Sequence, residues 1–278
     1  MESRSFAPYT LGGDHPVPVL LPAPDEVPAR RFVGRSDLLA RCQAAWFEGG
    51  GDPLHFRLCG PPGVGKNELV YELSRLRSQP LYPIQGHEEL TPEDLACTAR
   101  IAGGQRIEYI GSPLLAAMLR GGICFFDEIG KVPCRSLSLL ASVLDDRRSI
   151  TSVLAGFTVR AHPHFRFCAA MNDADAATSG LPGFVDERLR PAFTMGYPPP
   201  SEAVAIASLR HGACPSHLLD AFRNWASRQT DLSPRRAVGL LNYLERQHRM
   251  SGALAMSQRQ AADLIAEADA LFADAGGR

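Results

Sequence analysis

The chain has 278 residues, 45% of them apolar and 21% charged, a composition typical of a globular protein of one or two domains. Lys and Arg number 29 against 30 Asp and Glu, so no overall basic field favours nucleic acid or an anionic membrane, although a local basic patch stays open. The N-terminal residues form no uninterrupted apolar segment, and no run of about 18 apolar residues follows. We therefore expect neither secretion nor membrane spanning, and predict a cytoplasmic protein.

Seven cysteines are scattered along the chain without a C-x-x-C spacing. Their odd number and spacing argue against a disulfide framework or a zinc knuckle. We interpret all seven as structural, which agrees with a reducing compartment.

The first 30 residues are rich in proline. The prolines in this segment are Pro8, Pro16, Pro18, Pro22, Pro24 and Pro28. Each removes a backbone donor and biases its predecessor toward extended geometry. We predict an extended arm over residues 1–30, and two interpretations stay open: an arm that wraps a neighbouring subunit, or a loosely ordered tail.

Residues 31–197 alternate short apolar segments with segments of helical periodicity. Strands are predicted at His55–Cys59, Leu81–Ile84, Ile123–Phe126 and Phe165–Ala170. Helices are predicted at Ser36–Trp46, Lys66–Leu73, Pro113–Leu119 and Ser136–Leu144. This alternation predicts an α/β core with a parallel sheet between helices.

After Pro198-Pro199-Pro200 the pattern changes to amphipathic helices without a strand. The predicted helices are Ser201–Arg210, Ser216–Ser227, Arg235–Gln247 and Ser257–Phe272. We predict a small all-α lid domain over residues 198–278, joined to the core by a proline hinge.

The stretch from Gly60 to Lys66 has the G-x-x-x-x-G-K spacing of a phosphate-binding loop and lies between a predicted strand and a predicted helix. In such a loop, backbone N–H groups and the positive helix end surround the β-phosphate, while the lysine reaches the β- and γ-oxygens. The candidate nucleotide-binding residues are Gly60, Pro61, Pro62, Gly63, Val64, Gly65, Lys66, Asn67 and Glu68.

A second motif closes the apolar strand Ile123–Phe126 with two carboxylates, Asp127 and Glu128. Asp127 is placed to hold a Mg²⁺ ion, and Glu128 to orient and deprotonate a water for attack on a γ-phosphate.

The order of these motifs resembles the AAA+ ATPases, and within them the MoxR-like and dynein-related branch. The matching segments, which cover residues 32 to about 250, are Phe32-Val33-Gly34-Arg35, the loop GPPGVGKN, the strand CFFDE, Tyr109 to Gly122, Arg148 to Arg160, Phe165 to Asn172, and Ser233-Pro234-Arg235. The resemblance implies a P-loop NTPase core followed by an all-α lid, with ATP and Mg²⁺ as cofactors.

The resemblance also implies roles for single residues. Val33 and Gly34 belong to the adenine-side segment, and Asn172 is the sensor at a strand tip that contacts the γ-phosphate or the attacking water. Arg235 reaches the phosphates from the lid and couples nucleotide state to lid angle; a solvated arginine beside Arg236 is the alternative.

Two departures from the family pattern stand out. The loop lysine is followed by Asn67 where the family has Thr or Ser; an amide oxygen can still ligate Mg²⁺, so we expect metal binding by Asn67 and Asp127 with slow hydrolysis. Ala192 occupies the position of the arginine finger, which is supplied to the neighbouring subunit. We expect Arg190 or Arg188 to take over that role.

Three functions follow as hypotheses. The first is a MoxR-type chaperone or remodelling motor, a homo-oligomeric and hexameric ring acting on a protein client, for which the resemblance implies a von Willebrand factor A domain partner. The second is a nucleotide-gated switch or scaffold with little hydrolysis, favoured by Asn67 and Ala192. The third, a DNA-acting AAA+ protein, is disfavoured by the balanced charge.

Overall fold

The computed structural model describes residues 5–11, 16–47, 49, 51–104, 106–173, 180–210, 214–250 and 258–272. The chain divides into two compact units. The first comprises Met1–Ala29, Ser36–Gly60 and Lys66–Thr194, and the second Arg30–Arg35, Pro61–Gly65 and Met195–Arg278. The three-part division into arm, core and lid stays a prediction.

A five-stranded parallel sheet forms the centre of the first unit. Its strands are β3 (Phe56–Cys59), β4 (Leu81–Gln85), β7 (Ile123–Asp127), β10 (Arg166–Met171) and β11 (Ala192–Thr194), in the order β11-β3-β10-β7-β4. Every residue of β10 is buried, including Arg166, and burial explains the apolar run from Phe167 to Met171. The four predicted strands and their parallel pairing are confirmed, whereas the short strand β11 was not predicted.

Helices and a hairpin accompany this sheet along the chain. The helices are α1 (Ser36–Ala45), α2 (Lys66–Arg77), α3 (Pro92–Ala96), α4 (Pro113–Arg120), α5 (Cys134–Leu137), α6 (Leu140–Val143) and α7 (Gly183–Arg188). Thr91 caps α3 and Ser112 caps α4 by accepting a hydrogen bond from the backbone three residues on. The antiparallel hairpin of β8 (Ser149–Ser152) and β9 (Phe157–Arg160) lies within the predicted segment Arg148–Arg160.

A second sheet in the first unit was not predicted. Its strands are β1 (Phe6–Leu11), β2 (Val17–Pro22), β5 (Cys97–Ala102) and β6 (Arg106–Gly111), in the order β1-β2-β6-β5. β2 pairs parallel with β6, and the other two pairs are antiparallel. Leu11, Val19 and Leu21 are buried in the same core cluster as α4. The N-terminal segment thus forms paired strands rather than a loose tail.

The position of the prolines explains how this segment pairs. Pro8 lies opposite Leu20, Pro18 opposite Thr10, and Pro22 opposite Phe6. Hydrogen-bonded and non-hydrogen-bonded pairs alternate along an antiparallel ladder, so these three pairs, two residues apart, are of one kind. Because proline has no N–H, these three pairs are non-hydrogen-bonded pairs. The odd-numbered residues of β1 and β2 therefore make the hydrogen bonds between the two strands.

The second unit is helical in its C-terminal part. Its helices are α8 (Pro200–Arg210), α9 (Ser216–Ala226), α10 (Pro234–Met250) and α11 (Gln258–Phe272). The four predicted lid helices are confirmed within the described residues, although Ser257 lies outside them. Their apolar faces meet in one cluster that includes Phe222, Leu240 and Ile265, all buried.

No helix in the described ranges is both long and apolar enough to cross a membrane. All seven cysteines are free thiols. Cys42, Cys97, Cys124 and Cys168 are buried, and Cys134 is exposed. Burial raises the pKa of the Cys42 thiol to about 12, which fits the structural interpretation of that residue.

A buried imidazole lies near two buried arginines at the amino ends of β3 and β10. His55 contacts the rings of Phe165 and Phe167 edge-on or tilted, with centroids 6.4 and 6.0 Å away. Arg148 donates to Asp52 at 2.9 Å, and Arg166 donates to backbone carbonyls. Burial, then the charges of Arg148 and Arg166, lower the pKa of His55 from 6.5 to about 4, with Asp52 opposing them.

We expect His55 to make the first unit less stable in acid. Below pH 6.5 the His55 imidazole is protonated in the unfolded chain, whereas in the folded chain it stays neutral down to about pH 4. The free energy of unfolding should therefore fall by up to about 3 kcal/mol across that window. Urea unfolding followed by Trp46 fluorescence in a Trp225→Phe background measures it. An identical pH dependence in His55→Leu would contradict the assignment.

Candidate functional site

The carboxyl ends of the central strands bring the predicted catalytic residues to one edge of the parallel sheet. β3 ends before Gly60, β7 ends at Asp127, and β10 ends before Asn172. Because β10 pairs with both β3 and β7, Asn172 follows the strand that lies between β3, which precedes Gly60, and β7, which ends at Asp127. The sheet order therefore assembles residues that are up to 112 positions apart in the chain.

Lys66 is the first residue of α2 and is buried, with 7% of its surface exposed. Its Nζ donates to the carbonyl of Gly60 at 2.7 Å and to Oδ1 of Asn172 at 2.9 Å. A buried ammonium is costly unless hydrogen bonds compensate it, and both acceptors are uncharged. These contacts hold the ammonium between the end of β3 and the residue that follows β10, where a phosphate oxygen could accept a charge-assisted hydrogen bond from it.

Asn67 and Asp127 lie side by side. The amide Nδ2 of Asn67 donates to Oδ2 of Asp127 at 3.0 Å, and the backbone N–H of Glu128 donates to Oδ1 at 2.9 Å. Because the amide nitrogen of Asn67 faces the Asp127 carboxylate, the amide oxygen of the same side chain points away from that carboxylate. Both predicted metal ligands are thus neighbours, with the amide in place of the hydroxyl that the family pattern supplies.

Glu128 has two partners that sequence reasoning missed. Its Oε2 accepts a hydrogen bond from Nε2 of Gln85 at 2.7 Å and from Nζ of Lys131 at 2.9 Å. Gln85 ends β4 and lies in register with Asp127. The hydrogen bond from Gln85 to Glu128 joins positions 43 residues apart, and only the strand pairing reveals it.

The backbone at Glu128 has an unusual conformation. Its φ and ψ of 53° and 38° are left-handed, which costs a non-glycine residue free energy. Gly86 lies directly against this peptide, and its N–H donates to the carbonyl of Asp127 at 2.8 Å. A Cβ at Gly86 would lie 2.4 Å from the carbonyl oxygen of Glu128. The glycine is therefore required for Glu128 to sit where it does.

The two candidate arginine fingers differ in their surroundings. Arg190 is exposed and pairs with Asp186 at 2.6 Å, and Asp186 also pairs with Arg57 at 2.7 Å. The hydrogen bond from Arg190 lowers the pKa of Asp186. Arg188 is less exposed and donates to the carbonyl of Phe184 at 2.7 Å. Arg190 is thus the more accessible of the two.

Of the remaining predicted residues, Glu68 lies in α2 of the first unit, and the others belong to the second unit. There the backbone N–H of Arg235 donates to the carbonyl of Gly63 at 3.4 Å, and a Cβ at Gly63 would lie 2.9 Å from Cβ of Arg235. Val33 is half-buried. The next residue, Gly34, has a φ of +73° and lies against the Glu202 carboxylate. Phosphate-loop residues Pro61, Pro62, Val64 and Gly65 belong to this unit too.

These residues fit ATP and Mg²⁺. A buried lysine with neutral acceptors suits a polyphosphate, and an amide beside a carboxylate suits a hard cation that takes its other ligands from phosphate and water. In the described ranges no cluster of three or more His, Cys, Asp or Glu residues is arranged to hold a metal by itself.

Substitution of Gly86 tests how tightly the Glu128 peptide is held. We expect Gly86→Ala to lower the free energy of unfolding by about 1–3 kcal/mol, because a backbone oxygen must move to admit the methyl group. Gly183→Ala is the matched control, since its Cβ would meet nothing within 4 Å. Urea unfolding of both variants measures the effect, and equal stabilities would show that the peptide moves freely.

In comparison with known proteins, residues 55–189 match the family model described as AAA domain, dynein-related subfamily. An uncharacterized protein of Staphylococcus saprophyticus is 36% identical over 119 residues, which are 41% of this chain and 45% of that protein. One from Staphylococcus aureus strain USA300 is 32% identical over 142 residues, 50% of this chain and 52% of that protein. The chain thus matches about half the length of these relatives.

Solved structures show the same fold at low sequence identity. RuvB of Thermotoga maritima, a Holliday junction branch migration motor, is 17% identical with a TM-score of 0.61, covering 88% of this chain and 72% of that chain. NtrX of Brucella abortus is 16% identical with a TM-score of 0.58, covering 84% and 54%. The chain therefore has the AAA+ P-loop NTPase fold, with a parallel sheet flanked by helices and further C-terminal helices, and residues 55–189 match a dynein-related AAA domain.

Proposed function

We propose that this chain binds ATP and hydrolyses it, acting as a ring-forming AAA+ ATPase that remodels a protein partner in the manner of the MoxR branch. AAA+ proteins are in general ATPases that bind ATP and Mg²⁺ and commonly form oligomeric rings. The observation that carries the proposal is the convergence of Lys66, Asn172 and the Asp127–Glu128 pair at one edge of the sheet.

A few residues account for the ATP binding and hydrolysis that we assign to this chain. Lys66 binds the β- and γ-phosphates, and Asn172, already its hydrogen-bond partner, orients the γ-phosphate or the attacking water. Glu128 takes the proton from that water, once its carboxylate faces the phosphate. Asp127 and Asn67 hold the Mg²⁺ that neutralises charge on the phosphates. Arg235 reports nucleotide state to the C-terminal helices.

A ring would complete each site with an arginine from a neighbouring copy. We assign Arg190 this role ahead of Arg188, since Arg190 is the more exposed and its ion pair with Asp186 lies at the surface. The client is a protein, for which the MoxR resemblance suggests a von Willebrand factor A domain, and the cytoplasm is its proposed location. A net charge of −1 gives no support to a nucleic-acid substrate.

A second candidate function is a nucleotide-gated switch that assembles on binding ATP and hydrolyses little. The contact that favours it joins Nδ2 of Asn67 to Oδ2 of Asp127 at 3.0 Å. At position 67 the family pattern has a hydroxyl that binds the metal. Here the Asn67 amide instead occupies one oxygen of the Asp127 carboxylate, which favours slow turnover.

Two substitutions separate these functions. We expect Lys66→Ala to weaken ATP binding about tenfold or more, because charge-assisted hydrogen bonds to phosphate are lost. Glu128→Gln should retain binding but lower kcat about 100-fold or more. Equilibrium binding, steady-state hydrolysis and native mass in each nucleotide state are measured. Equal, near-zero hydrolysis by native and Glu128→Gln protein, with ATP-dependent assembly, would favour the switch.

The loop asparagine provides a further test. We expect Asn67→Thr to raise kcat about two- to tenfold, the range that one contact of about 1 kcal/mol corresponds to, because a hydroxyl ligand replaces the amide. Asn224→Thr, on an exposed part of α9, is the control. If Asn67→Thr hydrolyses ATP no faster than the native chain, the amide is not what slows turnover.

A further inference from the structure

Two adjacent arginines in the first turn of α10 have different surroundings. Arg235 is exposed, whereas the side chain of Arg236 is 28% exposed. The hydroxyl of Ser233 accepts a hydrogen bond from the backbone N–H of Arg236 at 3.1 Å and so caps the helix. Successive residues of an α-helix point about 100° apart, so the rotation of α10 about its axis decides where each guanidinium lies.

Arg236 is tied to two other helices through one carboxylate. Its Nη2 donates to Oδ1 of Asp269, in α11, at 2.6 Å. The indole Nε1 of Trp225, in α9, donates to Oδ2 of the same carboxylate at 3.3 Å. The Asp269 side chain is only 23% exposed, so this contact is partly shielded from water. Asp269 thus joins the start of α10 to both α9 and α11.

The side of α10 that carries Arg236 contacts α11 at two further positions. Gly239 and Tyr243 follow Arg236 by three and seven residues, which places all three on one helix face. A Cβ at Gly239 would lie 3.0 Å from Cε1 of Phe272, and the rings of Tyr243 and Phe272 have centroids 6.0 Å apart. This face of α10 therefore lies against α11, and Arg235 lies off it.

Arg235 lies instead along a residue of the phosphate loop. A Cβ at Gly63 would lie 2.9 Å from Cβ and 3.5 Å from Cδ of Arg235, and the backbone N–H of Arg235 donates to the carbonyl of Gly63 at 3.4 Å. The guanidinium of Arg235 makes no hydrogen bond or ion pair with a residue that the structure describes. Its direction therefore depends on how α10 is held.

The contact between Arg236 and Asp269 is not the arrangement that gives most stability. Nε of Arg236 is buried and has no hydrogen-bond partner within the described ranges. An unpaired buried donor costs free energy, and well-packed apolar side chains often stabilise a fold as much as a shielded ion pair does. What the ion pair adds is direction, because the hydrogen bond fixes which side of α10 faces α11.

We infer that Asp269 is a positioning residue: by holding Arg236 and Trp225, it keeps Arg235 on the side of α10 that faces Gly63 and thereby sets the affinity for ATP. The inference rests on the proposed function, because it requires Arg235 to contact the phosphates of a bound nucleotide. Helix α11 then contributes to nucleotide binding through Arg236, without contacting the nucleotide itself.

Substitution of Asp269 tests the inference by equilibrium binding of ATP with Mg²⁺. Asp269→Ala should raise Kd about fivefold or more, because α10 is no longer held in one rotation. Asp269→Asn keeps the size and one acceptor oxygen, so it should raise Kd less. Asp263→Ala, at an exposed position of the same helix, is the control and should bind as the native chain does. Urea unfolding verifies that each variant is folded in the assay.

A double substitution distinguishes positioning from a general loss of structure. In an Arg235→Ala background, Asp269→Ala should raise Kd no further, because the side chain that Asp269 positions is absent. If Asp269→Ala raised Kd by the same factor with and without Arg235, a purely structural role would explain the effect and the inference would be overturned.

The outcomes also separate the inference from the function on which it rests. If the native chain binds ATP and both Asp269 variants bind it equally well, the inference fails while the proposed ATPase function stands. If the native chain does not bind ATP, the proposed function fails, and the inference fails with it.

Discussion

The charge of Lys66 is the constraint on which the rest of the site depends. Its ammonium is buried at the end of the parallel sheet, where it donates hydrogen bonds to the neutral acceptors Gly60 and Asn172. A buried ammonium favours an anionic ligand, because a phosphate oxygen accepts a charge-assisted hydrogen bond from it. The sheet makes this possible: β3 and β10 are buried neighbours, so their carboxyl ends cannot separate without exposing the core.

The acidic pair divides its work through backbone geometry. Asp127 continues the strand, and its carboxylate accepts a hydrogen bond from Asn67 of α2. The left-handed backbone at Glu128 directs the Glu128 side chain toward Gln85 of β4. The two adjacent carboxylates therefore lie in different environments, and the repulsion between their negative charges is reduced. Metal binding and proton transfer can then be tuned separately, since different neighbours contact each group.

The sequence predicted the motif residues well because they occur at ends of strands and helices that periodicity locates. Lys66, Asp127 and Asn172 each follow or begin a segment with an unambiguous apolar pattern. It could not predict Gln85, Gly86 or Lys131 as partners of Glu128, because that contact depends on the register between β4 and β7 and on a single left-handed residue. The second sheet was missed for a different reason: prolines lowered the expectation of strands, although their even spacing is compatible with a ladder.

The same proline spacing protects the N-terminal sheet edge. β1 is an edge strand in the described part of this sheet, and its outward-facing backbone groups belong to Phe6, Pro8 and Thr10. A strand arriving from another molecule would find no N–H at the central position, so the ladder could not continue there. An N-terminal segment rich in apolar Val and Leu therefore joins its own sheet on one side, while its free edge resists pairing with strands of other molecules.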